Sequence, residues 1–329
     1  MTTVLPSELD PRLLEHRREL TGYCYRMLGS SFDAEDAVQE TMVRAWRGLA
    51  DFEGRSALRS WLYRIATNVC LDQLNGRNRR ALPMDLSGTS WQPVEASLAA
   101  KRPADAWVEP VLDRQVVAED ADPAEQAVAR ESIRLAFVAA LQHLPPRQRA
   151  VLLLRDVLRW RAEEVARLLE STVASVNSAL QRARATLAAV GGELDERPLS
   201  EDHRDLLDRY TDAFLRYDID AFVALLREDA TQHMPPFEMW LRGREDIGAW
   251  MLGPGSGCRN SRLVETRANG SPAFAQYRPT AAGGHVPWAL HVLEIEEGQI
   301  AHISSFLDLD TGLFERMGLP AALEPEPAA

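Results

Sequence analysis

The sequence of 329 residues is poor in lysine, cysteine and aromatic residues, and no long apolar run interrupts it. Lys101 is the sole lysine, so every other cation is an arginine; that fits a compositional habit as well as phosphate recognition and decides nothing alone. Cys24, Cys70 and Cys258 are odd in number and widely separated, which fits neither a disulfide framework nor a metal site. They are expected to be reduced, and buried or half-buried. No stretch approaches the ~18 apolar residues of a membrane span. The start, MTTVLPSELD, has neither the basic head nor the apolar core of a leader. The expectation is a cytoplasmic protein with no membrane partner. With 46% hydrophobic and 26% charged residues the chain is neither disordered nor fibrous, and its length allows two or three domains.

The net charge of −12 reads at first against nucleic acid, because phosphate binding needs cations to displace counterions. Its distribution reverses that reading. Residues 1–80 sum to +1, residues 81–130 to −5 and residues 131–190 to +4, while residues 191–329 sum to −12. The acid lies behind residue 190.

Residues 1–80 carry helical periodicity throughout. Leu13, Leu14, Leu20, Tyr23, Tyr25, Met27 and Leu28 form one apolar face, ended by Gly29-Ser30-Ser31. A second helix opens on Asp33, Glu35 and Asp36, and a connector from Asp51 to Ser56 leads to a third from Leu58 to about Asn75. From Ala81 to about Asp122 four prolines, with Pro123 just beyond, deny any long helix, so this stretch reads as a linker. At roughly 40 residues it is longer than connections within a compact domain. Trp91 and Trp107-Val108-Glu109-Pro110 are too apolar for a solvated tether and predict that it docks on a folded surface. Helices follow over Ala124–Leu144, Arg147–Leu158, Arg161–Leu169 and Ser171–Ala189 within a domain at 123–190. The last two make a helix-turn-helix with Thr172 as N-cap. After a hinge at 191–199, the domain at 200–320 has two helices, His203–Tyr217 and Ile219–Leu226. Alternating strands then run over Thr231–Met234, Glu238–Leu241, Arg262–Arg267, Ala273–Arg278, Val286–Glu294 and Ile300–Leu307, with a helix at Arg244–Met251 and a hairpin turn at 296–299. Residues 321–329 read as a disordered tail.

Two strings carry a resemblance. Asp33 to Arg80, "DAEDAVQETMVRAWRGLADFEGRSALRSWLYRIATNVCLDQLNGRNRR", resembles the second conserved region of extracytoplasmic-function sigma factors, and "LQHLPPRQRAVLLLRDVLRWRAEEVARLLESTVASVNSALQRARATL", Leu141 to Leu187, resembles their fourth. The segment "HMPPFEMWLRGREDIGAW" and the layout around it resemble the cone-shaped α+β fold of SnoaL-like polyketide cyclases and ketosteroid isomerase. The resemblance implies a multidomain fold: two all-α sigma domains, the second a helix-turn-helix, then an α+β SnoaL-like/NTF2-like domain. It also implies core RNA polymerase and promoter DNA as partners, no cofactor, and no enzymatic activity.

The resemblance assigns the acid-rich face Asp33, Glu35, Asp36, Gln39 and Glu40 to core polymerase; otherwise this is a solvated helix start. Opening the downstream promoter element requires a base to leave the stack for a pocket. Phe52, Arg55, Ser56, Arg59, Ser60, Trp61, Arg64, Asn68 and Asp72 supply cations and aromatic or polar walls, the last four at helical spacing. Trp61 also fits the apolar stripe. For the upstream element, Ser175, Asn177, Ser178 and Gln181 are placed to read base edges, with Thr172 at the helix start and Arg182 and Arg184 toward phosphates. Many relatives have arginines where this chain has Asn177 and Ala179, which implies adenine-preferring or weak upstream recognition.

For the C-terminal domain, His233, Trp240, Trp288, His291 and His302 are candidate pocket groups, with His285 and Asp308 at its rim, and His291 and His302 sit on neighbouring strands. Ketosteroid isomerase needs a carboxylate base and an oxyanion hole in such a cone; binding of an unknown small ligand and protein contact alone are the other readings. No spacing supports a metal site. The leading reading is a sigma factor held in check in cis by contacts among its acidic C-terminal domain, linker and sigma domains. The rivals are an isomerase or cyclase fused to DNA-binding helices, and a helix-turn-helix repressor, which would not need residues 1–80.

Overall fold

The computed structural model describes residues 10–52, 57–118, 122–191, 203–281, 283–309 and 311–324. The chain forms two compact units interleaved along the sequence: residues 1–80 with 108–197, and residues 81–107 with 198–329.

In the first unit α1 (Arg17–Leu28), α2 (Ser31–Gly48) and α3 (Leu58–Leu74) bury Leu20, Tyr23, Met27, Val38, Met42, Leu62, Tyr63 and Val69. These residues recur mostly three or four apart, so each helix turns one stripe inward. The Tyr23 hydroxyl meets Thr67 Oγ1 at 2.8 Å within this core. Helix α1 stops where Gly29 takes φ 71° and donates its N–H to the Tyr25 carbonyl. Ser30 then caps α2, its hydroxyl accepting from the Asp33 N–H at 3.1 Å, so α2 begins at Ser31 and not at Asp33.

Three of the expected helices are divided; the first is the short helix Pro11–Leu14 followed by α1, and Leu14 is exposed instead of on the apolar face. The stretch Ala124–Leu144 is α4 (Pro123–Glu131) and α5 (Leu135–Leu141). Between them Ser132 is fully buried and gives its hydroxyl and carbonyl oxygens to the Arg26 guanidinium of α1, at 2.9 and 3.2 Å, while Ile133 enters the core. The stretch Arg147–Leu158 is α6 (Pro146–Leu152) followed by a π-helical turn, Leu153–Val157. A 3.6-residue periodicity does not announce such a turn. Helices α7 (Ala162–Leu168) and α8 (Val173–Ala189) form the helix-turn-helix, and Thr172 caps α8 as expected, accepting from the Ser175 N–H at 3.1 Å.

The expected 81–122 linker is not one element; it divides between residues 107 and 108. Val108, Val111, Leu112 and Val116 are buried in the first unit. There the Glu109 carbonyl accepts from the Tyr25 hydroxyl at 2.9 Å, and its carboxylate accepts from the Ser30 hydroxyl. The residues placed in separate domains at 1–80 and 123–190 thus share one unit, and 81–107 folds with the C-terminal residues.

In the second unit α9 (Arg204–Arg216), α10 (Ile219–Ala224) and α11 (Arg244–Leu252) accompany a six-stranded sheet ordered β2-β1-β6-β5-β4-β3. The strands are β1 (Leu226–His233), β2 (Trp240–Arg242), β3 (Arg262–Ala268), β4 (Ser271–Pro279), β5 (His285–Glu296) and β6 (Gln299–Leu307). All pairs are antiparallel except β1 with β6. Glu297 and Gly298, both at positive φ, make the expected hairpin turn between β5 and β6; Asn269 and Gly270 do the same between β3 and β4. The helices cover one sheet face with Tyr210, Phe214, Phe222 and Trp250. Of the expected disordered tail, residue Leu323 pairs with His285 through two 2.9 Å backbone hydrogen bonds, and 325–329 lie outside the described residues. Of the hinge at 191–199, only Gly191 is described.

Gly29→Ala tests the α1–α2 corner. A Cβ there would add the left-handed penalty, ~1–2 kcal/mol, to a 3.1 Å contact with the buried Gln142 side chain. Urea unfolding should show a loss of at least that size.

Candidate nucleic-acid interface and C-terminal cavity

The acidic face of α2 is only partly free. Asp33 accepts from Arg77 at 2.7 Å and Arg80 at 2.8 Å, which close the end of the three-helix bundle. Glu35 pairs with Arg17, and Glu40 with Arg44 one turn on at 2.7 Å. Asp36 and Gln39 are exposed side by side.

On α3 the expected face forms: Arg64, Asn68 and Asp72 are exposed in a row below half-buried Trp61. Trp61 packs its ring 4.9 Å from Phe52 and against Gly48 and is half-buried, so it joins the apolar stripe in part. Ser60 is half-buried beside it, and Arg55 and Ser56 lie outside the described residues. Arg59 turns to a different partner. Its guanidinium binds Glu19 at 2.8 Å and stacks 5.1 Å over Tyr63 and 5.6 Å over Trp160, which follows the π turn. Arg64 pairs with Glu170, a residue at φ 49° in the turn between α7 and α8.

On α8, Val176, Leu180, Ala183 and Leu187 are buried at spacings of four, three and four. That leaves Ser175, Asn177, Ser178, Gln181, Arg182 and Arg184 on the exposed face, with Thr172 at its start. Arg182 donates to Ser178 Oγ at 2.7 Å, and Arg184 makes a two-pronged pair with Asp156 at 2.8 and 2.7 Å. Hydrogen bonding to Asp156 raises the Arg184 pKa.

In the second unit a cavity of about 30 Å³ lies between the sheet and its helices, room for roughly two waters. Of the five expected pocket residues it contains Trp288 and His291. His291 lies 2.8 Å from both Ser305 Oγ and Gln276 Oε1, and Gln276 donates onward to Ser261 at 2.8 Å. Burial, then the charge of Arg278, lowers the His291 pKa to about 4, so the ring is neutral at pH 7. Its Nε2–H therefore donates to Gln276, and Nδ1 accepts from Ser305.

The other three expectations are corrected. Strand alternation puts Gln232, Ile303 and Ser305 on the cavity face and His233, His302 and Ser304 on the opposite one. There His233 bonds Ser304 and His302 bonds Thr231, so no His291–His302 pair forms. Trp240 lies on the edge strand, its indole N–H donating to the Ser87 carbonyl at 3.0 Å. Asp308 caps the short helix Leu313–Arg316, and His285 faces the Asn260 carbonyl. Gln232, Gln276 and Ser305 were not anticipated. Alternation from His291 and its strand register would have found the last two.

Three family models match the chain: Sigma-70 region 2 at residues 13–80, Sigma-70 region 4 at residues 134–187, and SnoaL-like domain at residues 207–303. The chain is 47% identical over 313 residues to ECF RNA polymerase sigma factor SigG of Mycobacterium tuberculosis, covering 94% of this chain and 83% of that one. This chain is an extracytoplasmic-function RNA polymerase sigma factor. RNA polymerase sigma-H factor of Pseudomonas aeruginosa is 29% identical over 175 residues, covering 53% of this sigma factor and 81% of that one. The crystal structure of M. tuberculosis sigma factor SigJ shares the fold at a TM-score of 0.60 and 22% identity, covering 95% of this chain and 100% of that one.

As a sigma factor the protein binds core RNA polymerase and promoter DNA, and it is not an enzyme. The cavity of the SnoaL-like unit is lined by uncharged side chains around one neutral, doubly hydrogen-bonded histidine. Among the described residues no three His, Cys, Asp or Glu side chains are placed to hold a metal ion, and no helix is long and apolar enough to cross a membrane. Cys24 and Cys70 are buried and Cys258 half-buried, all as free thiols.

The neutral histidines set a pH dependence. Burial lowers the His233 pKa to about 3, so both His233 and His291 have folded values below the ordinary 6.5. The stability this represents is present above pH 6.5 and is lost as pH falls toward 4. Linkage gives about 2 kcal/mol lost per histidine between pH 7 and pH 5. His291→Gln should remove about half of that decline, read by urea unfolding at the two pH values.

Proposed function

We propose that this sigma factor is held in a resting state by two devices, and that its SnoaL-like unit controls it in cis. The first device acts on the melting helix. Arg59 and Arg64 of region 2, two of the cations suited to the downstream element, are engaged by Trp160 and Glu170 of region 4, and Tyr63 packs 5.1 Å from Trp160. Promoter melting through α3 then requires regions 2 and 4 to part.

The second device carries the cis reading. The segment between the two regions is fastened along the SnoaL-like unit. Trp91 N–H donates to the Trp240 carbonyl at 2.8 Å, Glu238 N–H to the Ala100 carbonyl at 3.0 Å, and Arg102 N–H to the Pro236 carbonyl at 3.0 Å. Arg102 also pairs with Glu238 at 2.6 Å, and the Lys101 ammonium sits 4.9 Å over the Phe237 ring. Freed and extended, residues 81–107 would span about 90 Å; held, they cannot lengthen. The C-terminal unit thus controls how far region 4 can move from region 2.

In the active state, Asp36, Gln39 and Glu40, with Asp33 and Glu35 beside them, face core polymerase. Phe52, Arg55, Ser56, Arg59, Ser60, Trp61, Arg64, Asn68 and Asp72 receive the downstream element. Ser175, Asn177, Ser178 and Gln181 read the upstream element, with Arg182 and Arg184 at phosphates and Thr172 fixing the helix start. The compartment is that of the polymerase, the cytoplasm. Any small ligand of the SnoaL-like cavity has to be accommodated by movement of its flexible Met234 and Met251 walls.

Ending the chain after residue 195 removes the clasp and should raise run-off transcription by core polymerase severalfold; output identical to the full chain would end the cis proposal. Glu170→Arg tests the first device. The Arg64 pair is exposed and worth under about 1 kcal/mol, so open-complex formation should rise, by no more than roughly fivefold.

A further inference from the structure

A second cavity, of about 470 Å³, lies in the first unit where regions 2 and 4 meet. Its apolar wall comes from Val116 and Val117 of the buried connector, Val128 of α4 and Leu158 after the π turn. Its charged groups are four arginines, Arg18, Arg26, Arg59 and Arg159, against two carboxylates, Glu19 and Glu125. Two of the arginines are spent. Arg26 is buried, with its three hydrogen bonds going to Ser132 and Ala129, and Arg59 is bound to Glu19. Arg18 and Arg159 are exposed and have no ion-pair partner among the described residues. Arg159 stands at φ 58°, a conformation costly for any residue other than glycine or asparagine. Strain of this kind gathers at functional sites.

We propose that this cavity binds a small organic anion with an apolar body, a carboxylate, sulfonate or phosphate on an aromatic or aliphatic frame, and that the bound anion ties region 2 to region 4. The volume falls in the range of small-molecule sites. The excess of guanidinium over carboxylate selects a negative group, and the valine wall selects an apolar frame over a sugar or a peptide backbone. Arg18 belongs to region 2 and Arg159 to region 4, so an acid group held by both resists their separation. The second half of the proposal rests on the closed arrangement being the resting state.

The test uses the full chain and 1-anilinonaphthalene-8-sulfonate, an aromatic sulfonate whose fluorescence rises in apolar surroundings. Val128→Trp fills the cavity from a partly exposed position, and Arg18→Glu reverses an exposed charge; neither removes a core contact. The wild-type chain should bind the probe saturably at one site, and each variant should bind about tenfold more weakly or worse. Saturating probe should lower run-off transcription with the wild-type chain and leave the Val128→Trp chain unaffected. Absent binding, or equal binding by wild type and variants, overturns the site. Variant-sensitive binding with unchanged transcription overturns the tie between the regions. The resting-state reading is tested without any probe by Glu170→Arg, so its failure is distinguishable from failure of the site.

Discussion

One buried guanidinium holds the first unit together. Arg149 of α6 is 3% exposed, and its two terminal nitrogens are spread over the carbonyls of Met27, Gln142 and Leu144 and the side-chain oxygen of Gln142. Burial lowers its pKa to about 10, so it stays charged at neutral pH with carbonyl dipoles in place of a carboxylate. Removing it would strand a carbonyl at the end of α1 and two in the turn after α5, each at the cost of an unmet hydrogen bond. Three of these bonds organise region 4 around the guanidinium, and the one to the Met27 carbonyl ties it to region 2. Arg26 repeats the arrangement from the other side, running from α1 to Ser132.

Much of this architecture was legible in the sequence, and the places where it was not share a cause. Helix faces, the approximate positions of the strands along the chain, the Thr172 cap and the hairpin turn follow from local periodicity and turn chemistry, and the structure keeps them. The break at Ser132 was hidden because a tertiary partner claims it, and the π turn at Leu153 because a 3.6-residue periodicity does not announce one. A serine inside a helical pattern gives no hint that an arginine a hundred residues away will claim it. The candidate DNA-facing residues on α3 and α8 were readable as exposed stripes, but not that Arg59, Arg64 and Arg184 would already have protein partners. The cavity residues failed differently. His233 and His302 differ from the cavity residues beside them by one step along a strand, and one step reverses the face.

The net charge also changes meaning once the units are known. Most of the acid of residues 191–329 lies in 198–329, in a unit that also contains residues 81–107, so it is not confined to the C-terminal part of the sequence. It belongs to a body that takes in part of the connection between the two DNA-reading regions. Under the cis proposal, electrostatic repulsion of DNA and restraint of that connection would come from one folded unit.

The clasp of residues 87–102 on the sheet also bears on solubility. Strand β2 lies at the sheet's edge, and a bare edge invites pairing with another chain. Trp91 occupies the Trp240 carbonyl, and residues 100–102 occupy the backbone just before it, so the sheet's outermost strand is capped by polypeptide from far upstream. A C-terminal fragment begun at residue 198 would fold with that rim uncovered. The SnoaL-like domain of this sigma factor is therefore not a detachable cassette: the segment that covers its sheet edge is encoded between regions 2 and 4.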